Sequence, residues 1–125
     1  MKELRSEKAP AAIGPYSQGV ESGGFFYFSG QIALNYKTGD LVQGGFVAET
    51  TQVMENIKAL LEETGLGFHQ VLKVNISLTD MHNFPAFNEI YASYFQKPYP
   101  ARACVGVASL PKGAQVEVEI IAHKA

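Results

Sequence analysis

The stretch that decides the fold runs Val53-Met54-Glu55-Asn56-Ile57-Lys58-Ala59-Leu60-Leu61-Glu62-Glu63-Thr64-Gly65 and resumes at Leu72-Lys73-Val74-Asn75-Ile76-Ser77-Leu78-Thr79. In its first part Val53, Ile57, Leu60, Leu61 and Thr64 recur at helical spacing and line one helix face. The helical period sets in near Val47, and Gly65 supplies the left-handed stop. In the second part Leu72, Val74, Ile76 and Leu78 alternate with Lys73, Asn75, Ser77 and Thr79, which predicts a half-buried strand with distinct inner and outer faces.

Working toward the N-terminus, Tyr36 to Gly45 is a turn-rich connection, and Phe25-Phe26-Tyr27-Phe28-Ser29, bounded by Gly24 and Gly30, reads as a strand buried on both faces. Pro10 and Pro15 bias the segment Ala9 to Gln18 away from helix and predict an ordered loop ahead of a strand. Toward the C-terminus, Asn83 is placed to cap a second helix that tolerates Pro85 in its first turn. Its apolar stripe is Phe87, Ile90, Tyr91, Tyr94 and Phe95, and it ends by Lys97 because Pro98 and Pro100 cannot continue it. Ala101–Ser109 and Gln115–His123 are the last two strands. The expected order is three strands, helix, strand, helix, two strands: an α+β fold with a six-stranded sheet and two helices on one face. The other face carries mild polar positions (Asn75, Ser77, Cys104), so a partner is its expected cover.

The chain has 125 residues, a length that fits one domain spanning 1–125. Ten Lys and Arg against 12 Asp and Glu leave a net charge of −2. With no basic run, nucleic-acid binding through phosphates has no electrostatic footprint. Charged residues make up 18% of the chain, against ~25% in ordinary soluble domains, so part of the surface is expected to lie against another copy of the chain. One cysteine, Cys104, excludes an internal disulfide and fits a reducing compartment. The charged opening, Met1 to Pro10, lacks the apolar core of a signal peptide. No uncharged run is long and apolar enough for a bilayer. A cytoplasmic protein is expected.

Arg102 is the first candidate for chemistry. It is one of two arginines and the only charge between Pro98 and Pro111. On an alternating strand it shares a face with Cys104, opposite Ala101, Ala103 and Val105. A guanidinium among small residues needs an anion, and its planar fork suits a carboxylate. That anion is either a ligand or a structural partner, Glu117 or Glu119, and the residues leave both open. Glu117 and Glu119 fall on one strand face and are either a solvated face or, with Arg102 on a neighbouring strand, part of a site that positions a water. Cys104 has no histidine placed near it and reads as a small packing residue. Tyr16, in the turn Gly14-Pro15-Tyr16-Ser17, is by itself a packing aromatic. The glycines form no phosphate loop, the histidines no metal spacing, and no Ser-His-Asp arrangement can be assigned.

Five stretches, in order, carry a resemblance: Ala9 to Gln18 with its Ile13-Gly14-Pro15-Tyr16, then Ser29-Gly30-Gln31-Ile32, Asn56-Ile57, Pro100-Ala101-Arg102-Ala103-Cys104, and Leu110 to Glu119. Over essentially its whole length the sequence resembles the RidA (YjgF/YER057c/UK114) family of reactive-intermediate deaminases. The resemblance implies a chorismate-mutase-like homotrimer with a central barrel, helices outside and ligand sites in clefts between subunits. It implies hydrolysis of 2-iminobutanoate and 2-iminopropanoate, the products of pyridoxal-phosphate dehydratases, to 2-oxo acids and ammonia, with no metal or cofactor. Carried over residue by residue, Arg102 would clamp the substrate carboxylate and Glu117 would hold or activate the water. The backbone at Cys104 would meet the imino nitrogen or the water, and Tyr16, Ser29, Gly30 and Asn88 would shape the pocket. The segment Gln96-Lys97-Pro98-Tyr99 is shorter than in some members, which bears on the cleft rim. A binding regulator for 2-oxo or amino acids, and an RNA-acting translation inhibitor as reported for relatives, are the alternative readings; the net charge argues against the second.

Overall fold

The computed structural model describes residues 1–125. It contains strands β1 (Lys2–Leu4), β2 (Gly19–Ser22), β3 (Phe25–Phe28), β4 (Val71–Leu78), β5 (Ala101–Gly106) and β6 (Val116–His123), with helices α1 (Phe46–Glu63) and α2 (Phe84–Ala92). The element order is the expected one. The strands form one sheet in the order β1-β2-β3-β6-β4-β5. Only β4 and β5 pair in parallel, so the sheet is mixed.

The topology explains why both helices share a face. β3 and β4 run in the same direction with β6 between them, and β5 follows β4 in parallel. The crossovers β3–α1–β4 and β4–α2–β5 therefore advance the same way across the sheet. Right-handed crossovers that advance the same way place their helices on the same side. Val74, Ile76, Leu78, Val116, Val118, Ile120 and Ala122 point to that side and are each at most 2% exposed. They pack against Val53, Met54, Ile57, Leu60 and Leu61 of α1 and Phe87 and Tyr91 of α2. Each such aliphatic or aromatic side chain contributes about 2 kcal/mol on burial, so this cluster holds the layers together.

α1 ends as expected. Gly65 takes φ 75°, its N–H donates to Glu62 O at 3.1 Å, and the Leu66 N–H reaches Leu61 O at 2.8 Å. This is a Schellman closure with the buried Leu66 behind it. Two buried amides then fix the segments around β2 and β3. Asn56 of α1 donates from Nδ2 to Leu34 O (3.0 Å) and Ile32 O (3.3 Å). Gln18 accepts from the Ser6 N–H (2.7 Å) and donates to Pro10 O (2.7 Å) and Ser6 O (3.1 Å).

Several expectations are corrected. β3 is buried on one face only in the single chain: Phe28 is in the core, whereas Phe25 and Tyr27 are 40% and 46% exposed. The second helix ends by Lys97 as expected but already at Ala92, so it stops short of Tyr94 and Phe95 of its expected stripe. Its last turn tightens through Ser93, whose N–H and hydroxyl both bond Ile90 O, so Tyr94 and Phe95 continue the apolar stripe from outside the helix. Asn83 makes no side-chain cap. The cap comes one turn earlier, where Asp80 Oδ1 accepts from the His82 N–H at 2.9 Å. Cys104 does not lie on the outer face; its register partner is the buried Ile76, on the helix side. No helix is long and apolar enough to cross a membrane.

Candidate active site

Residues paired across neighbouring strands project to the same side of a sheet. Arg102 pairs with Val74 and Cys104 with Ile76, which puts both side chains on the helix-bearing face. β5 is the sheet edge, so Arg102 reaches outward along α2 and stays exposed. Its guanidinium carbon lies 5.3 Å from the Phe84 ring centroid and 5.0 Å from that of Tyr91. Arg102, Asn88, Tyr91, Ala92, Tyr99 and Pro100 line a cleft of about 320 Å³.

The structural ion pair weighed for Arg102 is not made. The one Lys or Arg ion pair of the chain is Arg5–Glu3, and the other close acid–base contact is His82 Nδ1 to Asp80 Oδ1 at 2.9 Å. The expectation of Arg102 on a strand next to Glu117 and Glu119 is also corrected, because β4 stands between β5 and β6. Glu117 and Glu119 pair with Ser77 and Asn75 and project from the opposite face of the sheet. Within one chain, Arg102 and Glu117 are separated by the sheet itself.

Three buried polar side-chain atoms lack a partner in the chain, Thr50 Oγ1, Asn88 Oδ1 and Tyr91 Oη, and the last two belong to residues of the Arg102 cleft. Buried polar atoms are normally satisfied, so such a pair beside a free guanidinium marks a place for a polar ligand. Burial pushes the Tyr91 phenol above its ordinary value, against the smaller opposite pull of Arg102, and Tyr91 stays neutral. By sequence Tyr91 reads only as part of the apolar stripe. The signal that could have found it is the residue type: a tyrosine in a core stripe brings a hydroxyl that needs a partner.

A second cluster forms on the outer face. The Gly30 backbone lies so close to Glu117 that a Cβ there would stand 2.9 Å from its Cδ. Glu119 accepts from Asn75 Nδ2 at 3.0 Å, whereas the Glu117 carboxylate has no such partner. Burial, and secondarily the Glu119 charge, push the Glu117 carboxyl above the ordinary glutamate value. The Ser29 hydroxyl donates to Ser17 O at 2.6 Å and ties this cluster to the loop that carries Tyr16. Tyr16 itself is 54% exposed and borders a separate, polar depression with Arg5, Lys8, Tyr36 and Glu63.

Cys104 packs against the core. Burial pushes its thiol up, with Arg102 pulling the other way to a lesser degree, so it is not a ready thiolate. No three His, Cys, Asp or Glu side chains gather to hold a metal ion. The structure thus brings Arg102 and Asn88 together, brings Gly30, Ser29 and Glu117 together, and keeps the two groups on opposite faces.

The fold and the site define a small α+β domain with its helices on one side of the sheet and an unpaired guanidinium in an edge cleft, and sequence comparison makes the class specific. A family model described as endoribonuclease L-PSP matches residues 6–124. The chain belongs to this family, the RidA (YjgF) family. It is 47% identical over 121 residues to a mouse protein named 2-iminobutanoate/2-iminopropanoate deaminase, covering 97% of this chain and 90% of that one. It superposes on the crystal structure of RidA from the Antarctic bacterium Psychrobacter sp. with TM-score 0.94 at 45% identity, covering 99% and 100% of the two chains. The structure of E. coli TdcF with bound serine matches with TM-score 0.94 at 37% identity, covering all of both chains.

Proposed function

We propose that this chain, acting as one domain over residues 1–125, is a 2-iminobutanoate/2-iminopropanoate deaminase that hydrolyses 2-imino acids to 2-oxo acids and ammonia. The observation that carries the reading is the Arg102 guanidinium, free of any internal carboxylate and opening into a cleft with two unpartnered polar atoms. The name of the mouse relative and the serine held by TdcF support a substrate bearing a 2-carboxylate.

Arg102 takes that carboxylate through its planar fork. The adjacent imine carbon, electrophilic when the nitrogen is protonated, is attacked by water. The carbinolamine that forms then expels ammonia and leaves the 2-oxo acid. Glu117 holds the water and accepts its proton. The backbone at Cys104, with Asn88, borders the imino nitrogen, and Tyr16, Ser29 and Gly30 shape the water side. A protonated imine hydrolyses unaided, so fixing substrate and water at reaction distance is enough, without a cofactor.

Arg102 and Glu117 of one chain cannot reach one substrate through the sheet, which supports a site shared between two copies. The proposed assembly is a chorismate-mutase-like homotrimer with the outer sheet faces around a central barrel and the helices outside. Phe25 and Tyr27 on β3 and Val105 on the edge strand β5, which are 40%, 46% and 54% exposed, belong to the surface such an assembly covers. The compartment proposed is the cytoplasm, where dehydratases release the substrate.

The test couples the protein to threonine dehydratase and follows ammonia release across several imino acids. Accelerated release, abolished by Arg102→Ala with the assembly intact, is expected; full turnover by that variant overturns the assignment. Binding of 2-oxobutanoate without acceleration would instead identify a ligand-binding regulator.

A further inference from the structure

We propose that Phe84 and Tyr91 are positioning residues that hold the Arg102 guanidinium in its carboxylate-receiving pose without neutralising it. The inference deepens the reading above and rests on it for the identity of the anion.

An arginine at an exposed sheet edge has a long stem with many rotamers. A protein can still it with a carboxylate, but that carboxylate then competes with any incoming anion for the same N–H edge. Aromatic faces offer the other solution. They attract the cation through the flat face of the guanidinium and leave its in-plane donors free. The geometry here is of the second kind. The guanidinium carbon lies about equally far from two ring centroids, at 5.3 and 5.0 Å, and no carboxylate pairs with it.

The rings are themselves held. Phe84 opens α2 and Tyr91 stands near its end, seven residues or two turns apart, so they share one helix face. Tyr91 is 5% exposed and is flanked by Phe87 at 5.6 Å and Phe95 at 4.5 Å between ring centroids. Phe84 packs against the core cluster. The unpartnered atoms next to this platform, Asn88 Oδ1 and Tyr91 Oη, are neutral and leave the positive charge of Arg102 undiminished.

The test compares wild type with Phe84→Leu, Phe84→Met and Phe84→Tyr, reading three quantities: the Kd for 2-oxobutanoate by calorimetry, kcat and KM on dehydratase-generated imine, and the NMR signal of the Arg102 Nε–H. In wild type that signal should show an upfield ring-current shift. Phe84→Leu and Phe84→Met should both lose much of the shift and raise Kd and KM about fivefold, with kcat changing less. Phe84→Tyr should restore all three. Tyr91→Phe should keep the shift, and Tyr91→Leu should lose it. Wild-type Kd and KM in both Phe84→Leu and Phe84→Met overturn the proposal, because two unlike replacements share only the lost ring. If wild type fails to bind 2-oxobutanoate, or Arg102→Ala binds it equally well, the carboxylate reading falls, and the ring-current shift still reports separately whether the platform holds the arginine.

Discussion

Glu117 and Glu119 are alike in sequence and differ in surroundings. Asn75 occupies Glu119, whereas Glu117 lies against the Gly30 backbone with its carboxyl pushed up by burial. A carboxyl that binds its proton more tightly folded than unfolded favours the fold below the ordinary carboxylate range, and that contribution is lost as pH rises through the raised value. Activity runs the other way, since a proton acceptor works only when ionised. The acid limb of kcat/KM is therefore expected above the ordinary glutamate value of 4.5, and Glu117→Gln should abolish that limb along with most turnover. Glu117→Ala should slow turnover more than it weakens 2-oxobutanoate binding; equal loss in both would argue against a water-holding role. Gly30→Ala makes a finer probe. The added methyl meets the end of a flexible side chain and not backbone, so it should move the carboxylate and cut kcat with little change in Tm.

Among the elements, the loop before β2 depends most on one side chain. Gln18 is 6% exposed and connects Ser6 and Pro10 across a segment with almost no regular structure. Gln18→Ala would leave a buried backbone N–H and carbonyls unsatisfied, at a cost of about 2 kcal/mol. Thermal unfolding should show the loss as a lower Tm, and limited proteolysis should cut first between Ser6 and Tyr16. Such a connection is invisible to periodicity, because it joins residues 12 apart through one amide. The helices and strands were legible because their signals are local: the stripe Val53, Ile57, Leu60, Leu61 is buried and Val74, Ile76 and Leu78 point inward as read, whereas Leu72 is 48% exposed and Val71 takes the inner place, because an irregularity between Val71 and Lys73 shifts the register. The end of α2 was less legible, because the stripe runs on through Tyr94 and Phe95 while Ser93 has already tightened the backbone. Of the site, the residue types at Arg102 and Glu117 were legible. Their separation was not, because it depends on β6 inserting beside β4, and strand order is set by the crossovers and by no local pattern.

At the scale of the molecule, exposed apolar side chains mark the sheet face away from the helices. That face presents Phe25 and Tyr27 on β3 and Val105 on β5, with Lys73, Glu117 and Glu119 on the strands between them. Water is a poor cover for such a face. Tyr27→Lys combined with Val105→Lys should yield a monomer by sedimentation and abolish deaminase activity, even though neither residue lies in the Arg102 cleft. Retained activity in a demonstrated monomer would refute a shared site.

The separation of Arg102 from Glu117 by the sheet has a further, almost genetic, consequence. If each catalytic centre takes its guanidinium from one chain and its carboxylate from another, a chain defective in one group remains a competent donor of the other. Arg102→Ala and Glu117→Ala proteins, each inactive alone, should therefore complement after being unfolded together and allowed to reassemble. With random mixing of equal amounts in a closed ring, about a quarter of the centres would be whole. Mixing without subunit exchange should restore nothing. Recovery near that fraction would count the chains that build one centre without any image of the assembly.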